Sequence, residues 1–103
     1  MLRVVLLLLS TTCISSQLLA DSVAEGKVKA ATCMACHGVE GVSMMDMWPN
    51  LAGQKRTYFV KALTDYRDGK RDDPMMTPMA KPLSDADIIN LAAYYAQLKP
   101  AAD

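Results

Sequence analysis

Residues 33–37 read Cys33-Met34-Ala35-Cys36-His37, and no other feature restricts the fold of this chain so strongly. Two cysteines at i and i+3 on the last turn of a helix project to one side, and a histidine follows at once. That order is the Cys-x-x-Cys-His attachment signature of a c-type haem. Each thiol can form a thioether with one vinyl group of the porphyrin. His37 is then forced under the iron, so the covalent bonds fix the plane while the histidine fixes the metal.

Two other chemistries use a Cys-x-x-Cys pair. A thioredoxin-like redox disulfide needs a βαβ context, which the sequence lacks. Half of a zinc site needs further ligands, but the chain has one histidine and only one other cysteine, Cys13. Cys13 belongs to an N-terminal stretch of a different character. Arg3 precedes the apolar run Val4 to Leu9, small and polar residues continue to Ala20, and no acidic residue occurs. This is the pattern of a secretory signal peptide, with cleavage expected after Ala20. The run is too short for a bilayer, which needs about 20 apolar residues. An uncleaved anchor is the alternative. Cys13 as a lipid-attachment site is disfavoured by the Ser10-Thr11-Thr12 lead-in. The expected organisation is therefore a signal peptide over 1–20 and a monohaem domain over 21–103, exported to the periplasm.

With Arg3 set aside, ten Lys/Arg face eleven Asp/Glu, so the domain is near neutral. A nucleic-acid binder would normally show a basic patch, and no nucleic-acid partner is expected. About 83 residues make a small domain that often needs a staple, and a haem disc filling the core can supply one.

Periodicity predicts an all-α domain with three main helices and two long loops wrapped around the haem. The first helix is read from Ser22 to Cys33, with Ala24, Val28, Ala31 and Thr32 on one face and Asp21 or Ser22 as N-cap. The second runs from Gln54 to Asp68 through Phe59, Ala62, Leu63 and Tyr66, and Gly69 ends it. The third follows the capping box Ser84-Asp85-Ala86-Asp87, carries Ile88, Leu91, Ala92 and Tyr95, and stops before Pro100.

Both loops are rich in methionine, a residue more often used as adaptable filler. Met44, Met45 and Met47 lie in the first loop, Met75, Met76 and Met79 in the second. Soft thioethers also suit copper, but the haem motif already accounts for them. A thioether as second axial ligand raises the potential of an electron-carrying haem. Geometry favours the second loop, because a residue close after His37 has difficulty rounding the disc.

Ala24-Glu25-Gly26-Lys27, Cys33 to Gly38, Trp48-Pro49-Asn50-Leu51-Ala52-Gly53-Gln54, Pro82-Leu83-Ser84-Asp85 and Leu91-Ala92-Ala93-Tyr94-Tyr95 together cover nearly the whole domain. This set resembles the class I cytochromes c, within them the small bacterial c553 and c4 types. The resemblance implies the cytochrome c fold around one covalent haem c. It implies an axial methionine eight residues before the serine that caps the last helix, which is Met76, with Met79 the runner-up and Met75 third. It also implies a hydrogen bond from His37 to the Pro49 carbonyl, and a helix crossing at Gly26 and Tyr94. The c4 proteins usually carry two such domains in tandem.

The function so implied is that of a periplasmic electron carrier rather than an enzyme. Single electrons would pass through a His/Met-ligated haem, with docking around Cys33 and Cys36. Its partners would be a redox donor and acceptor, such as a membrane oxidoreductase, a terminal oxidase or a periplasmic dehydrogenase, and membrane contact would come only through them. The alternatives are a haem sensor or catalytic haem with an open or displaceable distal ligand, and a subunit of a larger complex.

Overall fold

The structure, a computed structural model, describes residues 4–12 and 21–102. Residues 4–12 are exposed and carry no regular secondary structure. The cleavage point expected after Ala20, and Cys13, lie outside the described residues. No described helix is long and apolar enough to cross a membrane.

Helix α1 spans Val23–Lys29. Ser22 caps it by accepting from the Glu25 N–H at 3.1 Å. Glu25 in the first turn, with Lys27 and Lys29 in the last, places each charge on the favourable end of the helix dipole. The chain then tightens into a 3-10 turn over Ala30–Thr32 and re-enters a one-turn helix, α2, Met34–His37. The single helix expected over 22–33 is thus broken, and its buried face is also different. Ala24, Val28, Ala31 and Thr32 are exposed, whereas Gly26, Ala30 and His37 are buried and Cys33 is half-buried. Hydropathy alone favours valine over glycine. Contact selected the residue without a side chain, because α1 meets the last helix backbone to backbone.

Helix α3, Arg56–Asp68, starts two residues later than the periodicity suggested and buries Phe59 and Leu63. Gly69 ends it in the left-handed region, at φ 82°. Helix α4, Met76–Ala80, forms within the stretch read as a loop, and it buries Ala80. Helix α5, Asp85–Gln97, follows the capping box: Ser84 Oγ accepts from the Asp87 N–H, and the Ser84 N–H donates to the Asp87 carboxylate, both at 3.0 Å.

The centre of the domain is α5, against which both α1 and α3 pack. Ala30, Phe59, Leu63, Ala80, Ile88, Leu91, Ala92, Tyr94 and Tyr95 form one buried cluster. Phe59 stacks on Tyr95 at 5.6 Å between ring centroids. Arg67 joins the end of α3 to the start of α5 through Asp85 at 2.7 Å and the Leu83 carbonyl at 3.3 Å. The described residues contain helices and loops and no strand.

Candidate haem site

Gly26, Ala30, Cys33 and His37 follow one another at spacings of four, three and four, and so share one side of the α1–α2 segment. The α2 turn is closed by the His37 N–H donating to the Cys33 carbonyl at 2.9 Å and the Gly38 N–H donating to that of Met34 at 3.0 Å. Cys33 and Cys36 are free and half-buried. Burial pushes the Cys33 thiol above its ordinary value, and the Tyr95 hydroxyl faces it without reaching hydrogen-bond geometry.

After His37 the chain must reverse, and Gly38 does so at φ 88°, where a Cβ would run into the Val42 backbone. The Leu51 and Ala52 N–H groups both donate to the Gly41 carbonyl, at 2.7 and 2.9 Å, and the Gly53 N–H donates to that of Tyr95 at 2.8 Å. These bonds tie the first loop down on α5 and bring Pro49 back to the histidine. His37 is buried, and its Nδ1 lies 2.7 Å from the Pro49 carbonyl oxygen. A carbonyl can only accept, so Nδ1 carries a proton, and in the neutral ring Nε2 keeps its lone pair. The ring is locked in the tautomer that a metal requires.

The methionines separate by burial. Met44, Met45 and Met47 of the first loop are 97, 51 and 65% exposed, and Met75 and Met79 of the second are 49 and 45% exposed. Met76 alone of the six packs against the α5 cluster, as Cys33 does. Two features escaped the sequence reading. The Nε1 of Trp48 and the hydroxyl of Tyr95 are buried with no hydrogen-bond partner in the protein. Tyr95 read only as one more apolar position on α5; the aromatic residue directly before Pro49 was the one visible hint of Trp48.

The matching profile is that of the Cytochrome c family, and it covers residues 23–99. The chain belongs to the cytochrome c family. It is 47% identical over 79 residues to cytochrome c-554(548) of Halomonas halodenitrificans, covering 74% of this chain and 95% of that one. It is 50% identical over 72 residues to cytochrome c4 of Thiocapsa roseopersicina, covering 69% of this chain and 37% of that protein. The reduced cytochrome c4 of Pseudomonas stutzeri matches in structure with a TM-score of 0.73 and 39% identity, over 78% of this chain and 47% of that one. The chain therefore spans less than half the length of these c4 relatives.

The fold is the all-α cytochrome c fold, and the cofactor of this cytochrome is one covalent haem c. Its residues fit that group. Cys33, Cys36 and His37 share the geometry just described, with one histidine nitrogen left unpaired for iron. The orphaned Trp48 and Tyr95 donors also fit. Each would cost about 1–3 kcal/mol if left unsatisfied, so both sites call for a bound group or water bearing acceptors.

Proposed function

We propose that this cytochrome is a periplasmic carrier of single electrons, in which His37 and Met76 would ligate the haem iron, Cys33 and Cys36 would anchor the haem covalently and Pro49 would fix the histidine ring. When bound, the haem supplies an iron that alternates between ferrous and ferric states. The protein's part is to hold its ligands still. His37 is fixed from behind through Nδ1, and Met76 is fixed by its place against the buried cluster, on a helix that packs on α3. The observation that carries the reading is that Met76 is half-buried against the core, whereas the other five loop methionines are exposed. Ligands held this firmly would let the site reorganise little on gaining or losing an electron, as a carrier requires.

Residues 1–20 act as the export signal in this reading, and 21–103 form the haem domain. Electrons pass at the edge near Cys33 and Cys36, where a redox donor and acceptor would dock in turn. The near-neutral charge of the domain suits short-lived contacts with modest electrostatic steering.

The test is the optical spectrum of the ferric, haem-loaded protein. The weak sulfur-to-iron charge-transfer band should be present, lost in Met76→Ala and kept in Met79→Ala. A wild-type spectrum without the band and of high-spin type would put an open iron in place of the carrier.

A further inference from the structure

The segment entering α4 reads Asp72-Asp73-Pro74-Met75-Met76-Thr77-Pro78, and its polar groups are bonded to one another. Oδ1 of Asp73 accepts from the Met75 and Met76 N–H groups, each at 2.9 Å. In return, the Asp73 N–H donates to Oγ1 of Thr77 at 2.9 Å, and the Thr77 N–H donates to the Asp73 carbonyl at 3.0 Å. The Thr77 hydroxyl then donates to Oδ1 of Asp72 at 3.2 Å.

A helix this short leaves its first N–H groups without helical partners. Here those of Met76 and Thr77 both go to Asp73, and Pro78 brings none. Pro74 further narrows the backbone of Asp73. The two N–H bonds hold the Asp73 carboxyl below the usual carboxylate range. At the far end, the Lys81 N–H donates to the Thr77 carbonyl at 3.1 Å, and Ala80 is fully buried in the α5 cluster. Met76 is thus gripped at its own backbone nitrogen on one side and through Ala80 on the other.

We propose that Asp73 and Thr77 are positioning residues that clamp Met76 and so decide how readily other ligands reach the iron. The proposal rests on Met76 being the axial ligand. A neutral thioether binds ferric iron weakly, so its hold depends on the main chain that delivers it. Loosening residues 73–77 lowers the fraction of molecules with sulfur in place. A competing ligand then binds more tightly in proportion, because its apparent affinity scales with the open fraction.

The experiment is a titration of imidazole into ferric, haem-loaded protein, with the charge-transfer band followed in parallel. Asp73→Ala removes the acceptor for two N–H groups and should bind imidazole about tenfold more tightly. Asp73→Asn keeps Oδ1 and should stay within about threefold of wild type, a rescue that a charge effect alone would not give. Thr77→Val, which loses one accepted and one donated bond, should fall between them, and it replaces Asp73→Ala if that variant fails to take up haem. If Met76→Ala abolishes the band while Asp73→Ala and Thr77→Val both bind imidazole as wild type does, the ligand assignment stands and the clamp is overturned. If Met76→Ala keeps the band, the assignment itself fails and the clamp falls with it.

Discussion

Gly26 of α1 lies directly against the Asn90 carbonyl of α5: a Cβ on it would sit 2.6 Å from the Asn90 carbonyl carbon and 2.8 Å from Cβ of Tyr94. Both obstacles are backbone or the root of a side chain, so neither can swing aside. In an open helix, Gly→Ala gains about 1 kcal/mol of propensity. Here overpacking outweighs that gain, and Gly26→Ala should destabilise the haem-loaded protein by about 2 kcal/mol. Guanidinium unfolding measures it, and an unchanged midpoint would mean that the helices part at no cost.

Asn90 holds the same crossing by hydrogen bonds. Only 8% exposed, it accepts from the Ser22 N–H at 2.9 Å and donates to a Glu25 carboxylate oxygen at 3.0 Å. Asn90→Ala loses both bonds at once and should cost about 2 kcal/mol. A double-mutant cycle with Glu25→Ala should give a coupling of about 0.5–1.5 kcal/mol, the share of the bond between them. Additive losses would place Glu25 outside the latch.

The haem motif, the capping box at Ser84 and the end of α3 at Gly69 were legible because each rests on residues adjacent in sequence. The buried face of α1 was not. Val28 outranks Gly26 by hydropathy, and only the partner helix reveals that a missing side chain is the requirement. Helix α4 was hidden for a related reason. The stretch read only as a loop, yet Pro78 falls where the first turn needs no N–H and Asp73 supplies the acceptors. The Asp-Pro-Met-Met-Thr-Pro string is a clamp only once Thr77 folds back on Asp73. Tyr95 read as one more apolar position and Trp48 only as part of the stretch before Gly53, and their unpaired polar atoms appear only when the neighbours are in place.

The capping box gives the fold an acid-sensitive element. The Asp87 carboxyl is held below its ordinary value of 3.8, first by the bond from the Ser84 backbone N–H, with Lys29 at 3.4 Å adding to it. Since the unfolded chain takes up this proton more readily than the native one, stability falls as the pH drops. The contribution of Asp87 is complete above the ordinary value and is lost as the pH passes below it toward the lowered folded one. Asp87→Asn should cost about 1 kcal/mol at pH 7, typical of a lost cap. The gap between variant and wild type should narrow as the pH falls below the ordinary carboxylate value and the wild-type carboxyl takes up its proton. Asp73 is lowered for a similar reason and stays in both proteins, so each keeps some acid dependence and only their difference reports on Asp87. Urea unfolding midpoints of the haem-loaded pair at pH 7, 5, 4 and 3 measure that difference. A gap that persists unchanged to pH 3 would mean that the Asp87 side chain acts by shape and not by charge.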